Sequence, residues 1–169
     1  MMNIFSEIFN KNICKECKMC CKFGEDDLWD LPQFTCDEKN RLSLKHPNVK
    51  YKLYNNMYIP ITIVRSHHHV CPFLDETTGC IIQNEKPIDC ALWPFYIMKI
   101  GEDLVLAQDL NCPAIENCTI EQIYKCLSKV FLDILDIYMA NPEYIKEYKT
   151  DFRIWKRWKE GTYESRNSI

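Results

Sequence analysis

The chain has no uninterrupted apolar run long enough to cross a bilayer, so no membrane partner is expected. It has no excess of positive charge either. Its 21 Lys and Arg stand against 24 Asp and Glu, a formal net charge of -3, and nothing demands nucleic acid. The locally basic end, Lys146 to Arg166, reads as a solvated helix face. Glycine is scarce, at four residues, and no nucleotide-cradling loop, G-x-S-x-G elbow or zinc-protease helix motif occurs. The common catalytic families therefore find no support. Met1 to Asn10 lack a basic start and a small-residue cleavage pattern, so they do not read as a secretory signal. No repeat, low-complexity run or linker interrupts the chain. Its 169 residues, 47% hydrophobic and 27% charged, suit one soluble globular domain, 1–169.

What the chain has in abundance is cysteine, eleven in all. A cytoplasmic, reducing setting is expected from the missing signal pattern. There such residues serve as metal ligands or redox groups rather than disulfides. The densest group is Cys14, Cys17, Cys20 and Cys21, spaced C-x2-C-x2-C-C. Thiolates two residues apart can converge on one centre, because the intervening turn points its amides inward. Side chains of adjacent residues tend to diverge, so Cys20 and Cys21 are expected to serve different centres, or one of them to support the other's. Cys71, Cys80, Cys90 and Cys112 form a second group, three of them beside or near prolines that stiffen the turns. Eight cysteines in two blocks fit two four-thiolate sites, or one cluster plus one ion.

The ordered set, C-x2-C-x2-C-C, then Cys71-Pro72-Phe73-Leu74, Cys80, Lys86-Pro87, Cys90-x3-Pro94 and Cys112-Pro113, resembles the CxxCxxCC (YkgJ-type) cysteine-cluster family, described as zinc- or iron-chelating domains. The likeness covers positions 14–113. Gln83 stands where that family commonly has Tyr, and Lys86 where it commonly has Arg, which removes a bidentate fork. The resemblance implies metal binding by Cys14, Cys17, Cys20, Cys21, Cys71, Cys80, Cys90 and Cys112.

Zinc and iron–sulfur clusters both accept four thiolates. The three-cysteine loop favours a four-iron four-sulfur cluster on Cys14, Cys17, Cys20 or Cys21 with one distant cysteine, zinc being the alternative. Phe23, Trp29, Phe73, Trp93 and Phe95 are placed to shield such a cluster. Of His67, His68 and His69, His69 is the best candidate ligand, two residues before Cys71. Cys36, Cys118 and Cys126 lie outside the set and read as ordinary thiols.

Residues 4–9 place apolar side chains on one helical face, and Glu25 to Asp30 form an acidic loop around Trp29. Thr35 to Glu38 has the form of a capping box, starting a helix that runs to about Leu44 and stops at His46-Pro47. A strand is expected from Tyr58 to Val64, a turn at 75–79, a helical turn interrupted at Pro87, and a hairpin over 95–100 and 104–108 that carries the chain to Cys112. One long helix follows from Thr119 to Asn141, and a last helix from Pro142 carries Tyr144, Trp155 and Trp158. The expected fold is α+β: a small cysteine-rich metal-binding core (14–113) with a β-hairpin, packed against two C-terminal helices (119–160).

Two function classes follow. One is a metal- or cluster-binding protein working in redox or cluster and metal handling with a protein partner, docked on the helix around Trp155 and Trp158. The other is a protein-modifying enzyme, since flagellin lysine N-methylases share a similar cysteine signature, although no glycine loop for S-adenosylmethionine is recognisable here. A purely structural zinc-binding interaction module is a third reading.

Overall fold

The computed structural model describes residues 16–24, 28–65, 68–83 and 85–162. The expected helix over 4–9, Cys14, Glu25 to Asp27 and His67 lie outside them. The described chain divides into two compact units between Ala91 and Leu92. Both helices and sheets are present, so the fold is α+β. No helix among the described residues is long and apolar enough to cross a membrane.

In the first unit, β1 (Lys22–Phe23) follows a 3-10 turn, Met19–Cys21. Helix α1 (Cys36–Lys45) begins as its sequence dictates. Thr35 Oγ1 accepts the Glu38 N–H at 3.2 Å, while Glu38 Oε2 accepts the Thr35 N–H at 3.0 Å. Strands β2 (Tyr51–Tyr54) and β3 (Met57–Pro60) form a hairpin whose turn residues Asn55 and Asn56 take φ of 47° and 63°, the positive values that a tight hairpin turn needs.

The single strand expected over 58–64 is two strands: β3 ends at Pro60, and β4 (Ile63–Arg65) joins a different sheet. Proline has no N–H to donate, and the next residue, Ile61, gives its N–H to Lys50 O at 2.8 Å before the chain leaves that ladder. Strand β5 (His68–Val70) lies between β1 and β4. Then come the small hairpin β6 (Leu74–Asp75) and β7 (Gly79–Cys80), with the expected turn between them, and helix α2 (Ile88–Leu92), which begins just after Pro87. The core of this unit is Phe23, Leu31, Phe34, Leu42, Ile59, Cys71, Phe73 and Ile82, with Cys21 and Cys80 packed against it.

In the second unit, β8 (Phe95–Ile100) and β9 (Asp103–Gln108) form the expected hairpin, Gly101 taking φ +61° at its turn. Helix α3 (Pro113–Glu116) begins directly after Cys112. The long helix expected from Thr119 is two, α4 (Ile120–Ser128) and α5 (Phe131–Ala140). The break has a local cause. Ser128 Oγ donates to Lys125 O at 3.0 Å, while the Lys129 and Val130 amides bond three residues back, to Cys126 and Leu127, so the four-residue ladder tightens and stops.

The last expected helix is absent. Pro142–Tyr144 is a single 3-10 turn, and the chain then supplies β10 (Lys146–Glu147), parallel to β8, and β11 (Arg153–Trp158), antiparallel to β9. The β8–β9 hairpin offered two open edges, and the aromatic and β-branched residues of 153–158 suit the pleated surface that closes one of them. Of the two C-terminal helices expected, the first is broken into α4 and α5 and the second is replaced by strands. Trp158 is only 7% exposed and meets Phe131 edge-on at 6.5 Å between centroids. Trp155 Nε1 donates to Gln108 Oε1 at 2.7 Å. The rings assigned to a partner surface thus serve the sheet of their own unit.

Candidate functional site

Three backbone devices position cysteines of the first unit, where Cys21 and Cys80 pack against the core that contains Cys71. Lys18 takes the left-handed conformation, φ 56°, before the 3-10 turn that carries Cys20 and Cys21. Its ammonium donates to the Glu76 carbonyl and meets the Glu76 carboxylate at 3.4 Å, fastening this loop to the β6–β7 turn. The second device is the β1–β5 ladder, in which Lys22 faces Val70 and Phe23 faces His69. One step further along the same register Cys21 faces Cys71, and the Cys71 N–H donates to Cys21 O at 2.9 Å.

The third device is the β6–β7 hairpin, where Leu74 faces Cys80. Asp75 Oδ1 collects the Thr77 and Thr78 amides at 2.9 and 2.7 Å and the Thr78 hydroxyl at 2.9 Å, and the Thr78 amide foremost holds its carboxyl below the usual range. Cys90 arrives on α2. The start of that helix is held by Glu38 Oε1, which accepts the Ile88 N–H at 2.9 Å, and by Asp89 Oδ2, which accepts the Gln33 N–H at 3.1 Å.

All ten described cysteines are thiols. The Cys20 thiol favours ionisation of Cys21, but the Cys71 thiol, desolvation and the nearby charges of Cys71 and Cys80 outweigh it, and its pKa is pushed up to about 12. Cys20 is raised well above the ordinary value by the Cys21 thiol and then by burial. Desolvation raises Cys80, and raises Cys90 strongly although that residue keeps some exposed surface. Cys80 also feels the charge of Cys20, and Cys90 those of Asp89, Cys20 and Cys21. Cys21 thus responds to Cys20, Cys71 and Cys80, and Cys90 to Cys20 and Cys21, with the Lys86 ammonium opposing the rise at Cys20, Cys80 and Cys90.

Among the described residues, no three or more His, Cys, Asp or Glu side chains form a group that could hold a metal ion as they stand. Of the remaining sequence candidates, Cys17 is half-buried just before Lys18, and Cys112 is a buried residue of the second unit at the cap of α3. Cys36 is exposed, Cys118 half-buried and Cys126 buried in the apolar face of α4. His69 Nδ1 lies 2.8 Å from Thr62 Oγ1, and its ring lines a cavity of about 290 Å³ with Lys52 and Leu31. Of the shielding aromatics, Phe23 and Phe73 are in the core around Cys71, whereas Trp93 and Phe95 belong to the second unit.

Sequence reasoning missed Asp89 and the second role of Glu38. Asp89 carried one signal, its place beside Cys90; Glu38 carried only its capping-box signature. No family model, curated protein or solved structure matches the chain, so the likeness to the cysteine-cluster family stands on the spacing of its cysteines alone.

Proposed function

We propose that the first unit binds a thiophilic metal centre, an iron–sulfur cluster, through cysteines of both blocks, and that the protein works in redox or in cluster and metal handling with a protein partner. The carrying observation is that Cys21 and Cys80 pack against the apolar core that holds Cys71 with Phe23 and Phe73, while the Cys71 N–H donates to Cys21 O at 2.9 Å. The donor set fits: sulfur ligands select zinc and iron–sulfur clusters over hard cations. Five sulfurs, those of Cys20, Cys21, Cys71, Cys80 and Cys90, supply the four ligands that either a zinc ion or a four-iron cluster takes, with one to spare.

The roles of the chain's own residues follow from their surroundings. At neutral pH the raised thiols hold their protons. A bound cation would take their place. Lys86 lowers the charge left on the thiolates at Cys20, Cys80 and Cys90. Phe23 and Phe73 exclude water on the core side. The bound group supplies one-electron chemistry or stored iron and sulfide. A structural zinc site is favoured by one observation, the packing of Cys21, Cys71 and Cys80 against the apolar core, where a metal would staple the unit together. Iron, sulfide and zinc measured together on anaerobically purified protein separate the two.

A further inference from the structure

We infer that Cys21 and Cys71 are a redox modification site: on oxidation they form a cross-strand disulfide, and doing so takes two donors from the thiol group. The register carries the argument. Lys22 faces Val70 and Phe23 faces His69, which makes Cys21 the residue directly opposite Cys71 at the end of the β1–β5 ladder. The Cys71 N–H donates to Cys21 O at 2.9 Å, one of the two bonds of a hydrogen-bonded antiparallel pair, while the Cys21 N–H turns back to Lys18 O at 3.1 Å. Residues paired in this way hold their Cα atoms about 5.5 Å apart, inside the span that a disulfide bridges. Cys71 belongs to the apolar core of the unit and Cys21 packs against that same core.

The other partners near Cys21 fit less well. Cys20 is its chain neighbour, and a bond between adjacent cysteines would force the intervening peptide from planarity. Cys80 is placed opposite Leu74, on another hairpin.

A low-molecular-weight disulfide is the co-reactant the step needs. Cys21, half-buried where Cys71 is only 6% exposed, is the entry point. Its sulfur attacks one sulfur of the small disulfide, the oxidant's S–S bond breaks, and one small thiol leaves with the Cys21 proton. Cys71 then attacks Cys21 of the mixed disulfide, and the second small thiol leaves with the Cys71 proton. Two protein thiols are oxidised by two electrons and the oxidant is reduced to two thiols. Buried thiols react slowly, so the conversion takes hours rather than seconds. The bond itself does not depend on metal; its regulatory meaning, release of the centre under oxidation, rests on the proposed function.

The test is disulfide mapping of the full chain as purified. After long incubation with oxidised glutathione, remaining thiols are alkylated, the protein is digested, and fragment-ion sequencing places each link. The Cys21–Cys71 link should dominate, persist in Cys20→Ser and Cys80→Ser, and vanish in Cys71→Ser. A dominant Cys20–Cys21 or Cys21–Cys80 link in the wild type, or Cys71 recovered fully alkylated, overturns the inference. Metal content measured before oxidation keeps the two ideas apart. A metal-free protein that forms the link sinks only the metal reading, and a metal-loaded one that releases metal without this link sinks only the switch.

Discussion

Glu38 and Ile88 are 50 residues apart, and the Ile88 N–H donates to Glu38 Oε1 at 2.9 Å. The same carboxylate closes the capping box of α1 through Oε2, so one side chain starts two helices. Glu38→Ala withdraws both acceptors and is expected to destabilise the protein by about 1–3 kcal/mol in urea unfolding. Glu38→Gln keeps a single acceptor oxygen and should lose about half as much. Two variants as stable as wild type would show that neither bond matters.

Asp89 holds α2 from the other side, accepting the Gln33 N–H while buried. Replacement by Ala should cost about 1–3 kcal/mol and lower the metal content, because Cys90 sits on the helix that is loosened. Asn at this position keeps an oxygen for Gln33 but removes the charge that, after burial, raises Cys90. Stability should then stay within about 1 kcal/mol, while Cys90 alkylation shifts to lower pH. An unchanged alkylation profile in Asp89→Asn would disprove the electrostatic part.

The thiols also predict a direction for pH. Cys20, Cys21, Cys80 and Cys90 hold their protons more tightly in the folded chain than the ordinary thiol value of 9.0, Cys21 up to about 12. A group raised in this way contributes stability that is complete below the unfolded value and is lost as pH rises through the folded one. Metal-free protein should therefore weaken steadily from pH 9 upward. Tyr51, raised to about 12 by burial and then by the Cys71 charge, adds to the same window. Metal affinity should run the opposite way, rising about tenfold per pH unit for each proton expelled. A flat affinity between pH 6 and 8 would mean that the metal meets no protonated sulfur.

Trp158 tests the second unit. It is buried against Phe131, so Trp158→Ala should destabilise the protein by about 3–5 kcal/mol, seen as an earlier thermal or urea transition. A ring that served only a partner would leave that transition in place.

How far the sequence could be read depended on whether the signal was local. Thr35 and Glu38 announce α1 because a capping box is complete within four residues, and Gly101 announces the β8–β9 turn because only positive φ closes it there. The strand at 153–158 could not be read in the same way. Its aromatics also match helical spacing, and what decides them is the free edge of β9, which lies far away in sequence. The break between α4 and α5 lies in the tightened turn at Ser128 to Val130, which leaves the apolar period of the sequence unbroken. At the candidate site, spacing singled out Cys14, Cys17, Cys20, Cys21, Cys71, Cys80, Cys90 and Cys112 and pointed to ligands from both blocks, but not to what positions them. The described ones are placed by the β1–β5 register and by the ties made by Lys18, Glu38 and Asp89, none of which leaves a periodic trace.

The most direct test is the metal inventory of anaerobically purified protein, with iron, acid-labile sulfide and zinc measured on one sample beside its visible spectrum. The account predicts iron and sulfide in matching amounts and a brown absorption that dithionite bleaches. Both should be lost when Cys21, Cys71, Cys80 or Cys90 becomes Ser, and kept when Cys36, Cys118 or Cys126 does. Colourless protein with stoichiometric zinc would replace the cluster by a zinc site on the same thiols. A folded, fully reduced protein that carries no iron and no zinc, and takes up neither, would contradict the account.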